Sequence, residues 1–444
     1  MWINILCFYI VDNSENIHKK IQSYSHGYPF AKSLILQGLS YFSTNSHPLL
    51  LILQITLKLF IYNSYIFLKG VIHIMKIICS KSNLLKGVNI VAKAVPSKTT
   101  MAILECILID ATTGSIKLTA NDMELGIETV IEGDVLEKGL IALDAKIFSE
   151  IVRKLPDNDV VIETDSSLQT TITCEKAKFH ICGKSGEDFS YLPYVERNDS
   201  IELSQFTLKE VIRQTIFSIA DNENNKLMTG ELFEVADGVL KVVSLDGHRI
   251  SIRKVELKEA YAPKKVIVPG KTLIEISKIL SGDTESVVNI FFTSNHIVFE
   301  FEKTTVVSRL IEGEYFRINQ MLSSDYETKV KVNKKEFLSC IDRATLLVKE
   351  GDKKPIIIDI NEDGMKLQIN SQLGSMKEDI DIKKEGKDIL IGFNPKFLID
   401  ALRVIDDEIV TLYMVNPKAP CFIKDDKESY TYLILPVNFN NAAR

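Results

Sequence analysis

The chain has 444 residues, of which 45% are hydrophobic and 25% charged, and its formal net charge is −6. This length is too great for one ordinary hydrophobic core and predicts two to four domains. The acidic balance argues against a protein that coats nucleic acid over its whole surface, although it permits basic residues to be concentrated on one face.

Residues 1–74 differ in composition from the rest of the chain. They are poor in acidic residues and rich in Ile, Asn, Tyr and Phe, which AT-rich codons encode. Three interpretations are open: a membrane anchor over residues 49–68, a disordered or peripheral extension, and upstream DNA translated ahead of a true start at Met75. We favour the third, because the codons just before Met75 can contain a ribosome-binding AAGGAG core. The intact mass of the native protein would test this start.

A threefold internal repeat organises residues 75–444. Its clearest mark is a predicted strand that leads into a helix, where a lysine recurs every 125 residues as Lys146, Lys271 and Lys396. A capping or initiating residue precedes each lysine: Asp144, Pro269 and Asn394. In the first of these helices the spacing of the apolar residues predicts one buried face, made of Ile147, Phe148, Ile151, Val152 and Leu155.

Each repeat also carries a second predicted helix and several predicted strands. The helices follow from the apolar positions Leu85, Val88 and Ala92, then Leu208, Val211, Ile212 and Thr215, then Leu338, Ile341 and Thr345. The strands are predicted at 160–164, 287–292 and 409–414, and at 116–119, 240–243 and 366–369, the last three after Gly114, Gly238 and Gly364. We therefore predict an α+β fold with β-rich domains at 75–196, 200–322 and 327–440.

A basic pair recurs on each of the three lysine-bearing helices, and its members are seven residues apart. The pairs are Lys146 and Arg153, Lys271 and Lys278, and Lys396 and Arg403. Seven residues is close to two helical turns, so both charges of a pair project from one face. An ordinary solvated surface explains one such pair, whereas three in the same register predict a surface that meets phosphates without reading bases.

No motif for catalysis, metal binding or cofactor binding is recognisable. The seven cysteines are scattered without CxxC spacing, which predicts reduced thiols of a cytoplasmic protein. Phosphate-loop, HExxH and GxSxG patterns are absent from the sequence. The segment Asp246-Gly247-His248-Arg249 suggests a hydrolase at first sight, but a turn in which Gly247 supplies backbone freedom explains it better. We predict no catalytic residue, no metal and no cofactor.

At these residues the chain resembles the β subunit of bacterial DNA polymerase III, the sliding-clamp family, over all of residues 75–440. The matching segments are 75–77, 187–193, 246–250, 310–315 and 432–437. The resemblance implies three tandem repeats of the DNA-clamp fold arranged as half of a ring. Two chains would form a head-to-tail homodimer around duplex DNA, with helices lining the hole. It also implies a nucleoid-associated, non-catalytic processivity factor.

The resemblance further implies partners and site residues. The partners would be duplex DNA without sequence preference, the replicative DNA polymerase catalytic subunit, the clamp-loader ATPase, and repair polymerases, ligase and mismatch-repair proteins. The predicted partner-peptide pocket consists of Met228, Leu245, Gly247, His248, Arg249, Ile250, Phe316, Gln320, Met321, Ile434, Leu435, Pro436 and Val437. Lys98 and Lys271 match DNA-contacting positions. The predicted dimer interface contains Phe179, Leu346 and Leu347.

Three positions depart from the usual family pattern. Leu245 stands where Thr is usual, Phe316 where Pro is frequent, and Asn438 where Arg is frequent, so the preferred partner sequence stays open. Two other functions compete with the clamp: a peptide-binding scaffold that never encircles DNA, and a hydrolase that uses Asp246 and His248. The recurring basic pairs favour the clamp over the scaffold. The hydrolase lacks any placed nucleophile or metal site.

Overall fold

A computed structural model describes residues 73–197, 200–221, 224–322, 325–348 and 354–439. The interpretations of residues 1–72 concern a segment outside these ranges, so the start at Met75 stays a prediction. Among the described residues, none of the helices combines the length and the hydropathy that a bilayer span requires.

Six α-helices occur in the described residues, two in each predicted repeat. They are α1 Lys81–Val91, α2 Ala145–Lys154, α3 Gln205–Thr215, α4 Gly270–Ile279, α5 Lys334–Thr345 and α6 Pro395–Val404. Five of them begin after a side chain that accepts a backbone N–H of the first turn: Ser80, Asp144, Ser204, Asn333 and Asn394. Such caps satisfy donors that a helix start leaves without partners. Pro269, the residue before α4, has no side-chain acceptor, and it favours the start of the helix because its ring fixes the backbone angle φ.

The strands fall into the same three groups. The first group is β1 His73–Ser80, β2 Cys106–Asp110, β3 Ile116–Asn121, β4 Leu125–Ile131, β5 Asp134–Glu137, β6 Leu140–Asp144, β7 Asp159–Asp165, β8 Gln169–Cys174, β9 Ala177–Cys182 and β10 Lys184–Ser185. The second is β11 Ser200–Ser204, β12 Gly230–Ala236, β13 Val239–Leu245, β14 Arg249–Glu256, β15 Lys264–Pro269, β16 Val287–Phe292, β17 His296–Phe301 and β18 Thr304–Arg309. The third is β19 Thr328–Asn333, β20 Ile356–Asn361, β21 Gly364–Ser371, β22 Gly374–Ile380, β23 Ile382–Gly386, β24 Ile389–Phe393, β25 Ile409–Met414, β26 Cys421–Lys424 and β27 Tyr430–Ile434.

These strands form four antiparallel sheets, two of which cross from one repeat to the next. The orders are β5-β1-β7-β8-β9, β10-β6-β2-β3-β4-β18-β17-β16-β11, β15-β12-β13-β14-β27-β26-β25-β19-β23 and β22-β21-β20-β24. The first repeat joins the second where β4 pairs with β18, and the second joins the third where β14 pairs with β27. The three tandem β-rich units with two helices each confirm the predicted fold class.

The two helices of each repeat pack against each other and against the sheets. On α2, Phe148, Ile151 and Val152 enter the core as predicted. Ile147 does not: its side chain is 52% exposed, which corrects the predicted stripe. Its counterpart 250 residues later, Phe397, is covered by Arg249 and His248 of the preceding repeat. No described residue covers Ile147 in this way.

One carboxylic acid lies inside the second repeat without full hydrogen bonding. Glu231, on β12, has 0% exposure, and only its Oε2 atom accepts a bond, from Thr215 Oγ1 at 3.2 Å. Its Oε1 atom has no partner among the described residues. Burial raises the pKa of Glu231 to about 8, because an ionised carboxylate is poorly solvated there.

We expect Glu231→Gln to stabilise the protein increasingly as the pH rises. Because the folded-state pKa of Glu231 is raised, the folded state keeps a proton that the unfolded chain releases, and stability is lost between about pH 4.5 and pH 8. Glutamine stays neutral and removes this loss, worth on the order of 2–4 kcal/mol at pH 8. Urea titrations from pH 5 to 8.5 would measure it. Glu234→Gln changes a partly exposed glutamate of the same strand, which pairs with Lys241 at 3.3 Å, and should change stability by less than about 1 kcal/mol.

Candidate functional site

An apolar groove of about 440 Å³ lies where the second and third repeats meet. Its lining combines side chains from the β13–β14 turn, from the segment after β18, from β27 and from the residue that follows β27. The lining residues are Met228, Leu245, Gly247, His248, Arg249, Ile250, Phe316, Met321, Pro420, Leu433 and Leu435. A concave, apolar surface with few polar groups is typical of a site for a ligand or a short peptide.

The β13–β14 turn presents one side of the groove. Gly247 has φ +87°, a conformation that glycine adopts without strain. Asp246 closes the turn by accepting the backbone N–H groups of His248 at 3.0 Å and of Arg249 at 3.1 Å. The His248 carbonyl then accepts the Leu435 N–H at 2.9 Å, which extends the pairing of β14 with β27. The turn predicted from Asp246 to Arg249 is therefore confirmed.

Arg249 holds the second and third repeats together beneath the groove. Its guanidinium donates to Asp246 at 2.9 Å, to Asp400 on α6 at 2.7 Å and to the Phe217 carbonyl at 2.5 Å. The same group lies 4.6 Å from the centroid of the Phe397 ring. Only 7% of the Arg249 side chain is exposed, so these partners compensate a largely desolvated charge.

Nine of the predicted pocket residues line the groove, and four do not. Gln320 is exposed outside it, and Ile434 is buried in the core of the third repeat. Val437 donates its backbone N–H to the Gly392 carbonyl, and Pro436, between Leu435 and Val437, is half-buried outside the lining.

Sequence analysis missed two lining residues, Leu433 and Pro420. Strand alternation could have identified Leu433, because Leu433 and Leu435 share one face of β27 while Ile434 faces the other. Pro420 lies in the β25–β26 connection, and nothing in its local sequence marks it.

The two groups of the hydrolase hypothesis are occupied by structural contacts. Both oxygens of Asp246 accept bonds within the turn or from Arg249, and the His248 ring stacks on Phe397 at 6.0 Å between centroids. The described residues include no cluster of His, Cys, Asp and Glu suited to a metal ion. The cysteines of the described ranges are unpaired, and burial raises the pKa of the Cys79, Cys340 and Cys421 thiols to about 12.

The predicted interface residues lie at the two ends of the series of sheets. Phe179 is 38% exposed on β9, the edge of the first sheet. Leu346, directly after α5, is 78% exposed. Leu347 lies beside Gly374 at the start of β22, the edge of the fourth sheet. Each location combines a strand edge that no described residue pairs with and exposed apolar side chains, two features that are frequent at protein–protein interfaces.

The basic residues predicted to face DNA are all exposed, but their electrostatic settings differ. Ion pairs hold four of them: Arg153 with Glu150 at 2.9 Å, Lys278 with Glu275 at 2.8 Å, Arg403 with Asp342 at 3.4 Å, and Lys271 with Asp122. Within the described ranges, Lys98, Lys146 and Lys396 have no such partner. The positive field of these faces is therefore weaker than the sequence alone indicates.

Family models match the chain in three consecutive segments. Residues 75–193 match the N-terminal domain of the DNA polymerase III beta subunit, residues 202–316 its central domain, and residues 319–438 its C-terminal domain. These matches cover well over half of the chain. The predicted domain boundaries stay predictions.

Curated relatives and solved structures give the same similarity. The beta sliding clamp of Staphylococcus aureus is 35% identical over 356 residues, which cover 78% of this chain and 94% of the relative. A DNA polymerase III beta subunit structure from Eubacterium rectale has 75% identity and a TM-score of 0.81, covering 82% of this chain and 100% of that one. The sliding clamp structure from Bacillus subtilis has 33% identity, a TM-score of 0.80 and the same coverage.

Proposed function

This chain belongs to the DNA polymerase III beta subunit family, the beta sliding clamps, and from this premise we propose that two copies close a ring around duplex DNA. The family is a non-catalytic processivity factor. In our proposal the ring tethers the replicative polymerase catalytic subunit, and in turn the clamp loader and repair proteins, through the groove between the second and third repeats. Such a ring would hold DNA by topology, so weak phosphate contacts suffice and permit sliding.

The observation that carries this proposal is the pair of free strand edges. β4, β14 and β22 are equivalent strands of the first, second and third repeats, and each is the last strand that its repeat contributes to a sheet. β9, β18 and β27 are likewise equivalent strands of the first, second and third repeats. Inside the chain, β4 pairs with β18 and β14 pairs with β27, which leaves β22 and β9 without a partner among the described residues. Pairing β22 of one copy with β9 of another would repeat the same junction and, by rotation, close a ring.

The repeat also gives the register of that junction. Val306 pairs with Ile127 between the first two repeats, and both side chains are fully buried. Phe179 on β9 is equivalent to Val306 on β18, because the two residues have the same position in the register of their hairpins. By the same comparison Met376 on β22 is equivalent to Ile127 on β4. We therefore propose that Phe179 faces Met376 of the second copy. Ile147 would then be covered as Phe397 is covered within the chain.

The groove supports the proposal of a partner-binding site through its chemistry. Apolar side chains dominate the lining, and the exposed His248 supplies a polar group at its rim. A linear peptide with two or three large apolar side chains could anchor there, as buried anchors do in other interfaces. Leu245 and Phe316 enlarge the apolar share of the lining and favour apolar over hydroxyl-bearing anchors.

We expect the protein, once loaded, to stay on nicked circular DNA and to leave when the circle is cut. A ring held by topology cannot escape a closed circle, whereas it slides off a free end. Gel filtration of loaded DNA before and after linearisation measures this difference. Equal loss from circular and linear DNA would contradict the ring and favour the scaffold that never encircles DNA.

We expect the basic helix faces to act collectively. A single change to alanine at Lys146, Arg153, Lys271, Lys278, Lys396 or Arg403 should barely alter loading, because each exposed charge is screened by salt. Neutralising all six should impair loading and flatten its salt dependence, since fewer counterions are released. The measurement is retention and diffusion on nicked circles across a salt series.

A control with the same loss of charge separates this effect from net charge alone. It changes six exposed lysines of turns and strand ends to glutamine: Lys138, Lys258, Lys303, Lys387, Lys418 and Lys427. This control should load with nearly the original salt dependence. If the helix variant loads like the unaltered protein, the basic pairs are only solvated surface.

A further inference from the structure

The junction between the first and second repeats contains a counterpart of the groove described above, which we call the open groove. At the junction of β4 with β18, Gly126 pairs with Val307 across the two strands. This pair is equivalent to Ile250 and Leu433, which pair across β14 and β27 in the open groove. Val307 in turn pairs with Val298, as Leu433 pairs with Phe422. The backbone framework of the groove is therefore present twice in each chain.

The chain itself fills this second groove. Val195, only 5% exposed, packs with Val298, Val307 and Phe291 in a separate apolar cluster, and Leu192 packs against the same cluster. A Cβ atom on Gly126 would lie 2.0 Å from Leu192 Cδ2. Leu192 thus occupies the space that the Ile250 side chain takes in the open groove, and it can do so only because residue 126 is glycine.

Polar contacts fix the filling segment to both repeats. Asn121 Nδ2 donates to the Ser190 carbonyl at 3.2 Å on the side of the first repeat. Arg197 pairs with Glu300 on β17 and also donates to the Val195 carbonyl at 3.3 Å. Between these contacts Leu192 and Val195 turn toward the groove, whereas Tyr191, Pro193, Tyr194 and Glu196 are exposed, the two tyrosines at 54% and 87%. Short peptides that dock by two buried anchors have this pattern.

We propose that residues 190–197 are an intramolecular ligand that occupies the second groove, so that each chain offers one open groove to partners. The statement about partners rests on the function proposed above, whereas the occupation of the second groove does not. Tethering keeps the segment at a high effective concentration, so an external peptide cannot compete for this junction.

The test removes the two anchors and supplies the segment in trans. The variant Leu192→Ala/Val195→Ala is combined with Leu435→Asp, which places a charge in the open groove and closes it to apolar ligands. The probe is a fluorescent synthetic peptide with the sequence of residues 190–197. We expect one peptide to bind per chain, at least tenfold more tightly than to the protein that carries Leu435→Asp alone, and to raise the melting temperature of the variant.

The matched control is Tyr191→Ala/Tyr194→Ala in the same background, because these substitutions leave Leu192 and Val195 in the second groove. It should bind no more peptide than Leu435→Asp alone. A folded anchor variant that binds no peptide at millimolar concentration would overturn the proposal and reduce Leu192 and Val195 to ordinary core residues. If that variant does not fold, Val195→Ala alone replaces it, with the same expected and opposing outcomes. Because the probe comes from this chain, failure of partner binding at the open groove would not alter the result.

Discussion

Replacing Leu346 and Leu347 with aspartate is expected to convert the dimer to a monomer. Leu347 lies beside Gly374 at the start of β22, and its chain neighbour Leu346 is 78% exposed in the single chain. In the proposed ring they would be covered by the β9 edge of a second copy. Burying two unpaired carboxylates there costs several kcal/mol, and about 4 kcal/mol already raises the dissociation constant about 10³-fold. Sedimentation velocity at micromolar concentration would measure the change.

A second exposed leucine provides the control for this experiment. Leu136 is 55% exposed on β5, the opposite edge of the first sheet, so Leu136→Asp should leave the dimer intact. The register can be tested separately with Phe179→Cys/Met376→Cys, which should form a disulfide between chains under mild oxidation. Phe179→Cys/Lys377→Cys, shifted by one residue, should not. An unchanged dimer in the double aspartate variant would contradict this interface.

Replacing Arg249 with methionine is expected to destabilise the junction between the second and third repeats by about 3–5 kcal/mol. Methionine keeps the apolar contact with Phe397 but leaves Asp246 and Asp400 without the cation that compensates their partial burial. Removing one member of a desolvated ionic cluster has costs of this size. Urea denaturation monitored by intrinsic fluorescence would measure the unfolding free energy.

Two comparisons identify the cause of that loss. Arg309→Met removes an exposed pair with Glu312, in which the two side chains are 52% and 80% exposed, and should cost less than about 1 kcal/mol. Adding Asp400→Leu to Arg249→Met removes one orphaned carboxylate and should restore part of the stability. A loss for Arg249→Met no larger than for Arg309→Met would show that the cluster does not hold the repeats together.

The sequence by itself determined the repeat and the elements within it. Helix starts at Asp144 and Asn394 and the turn at Gly247 follow from local chemistry, because caps and positive φ angles depend on few neighbouring residues. Strand and helix periodicity likewise place apolar residues on one face whatever that face meets. The six helices, the recurrent strands and membership of the clamp family could therefore be obtained without coordinates.

The tertiary structure alone decided which surfaces are covered. Ile147 is apolar and in register with Phe397, yet only Phe397 has a preceding repeat to pack against. The basic helix faces look alike in sequence, but Lys271 is paired with Asp122 of the first repeat, while Lys396 has no acidic partner in the described ranges. These differences depend on contacts between residues far apart in the chain, which local periodicity does not encode. For the same physical reason, two equivalent sheet junctions carry one groove that is open and one that Leu192 and Val195 fill.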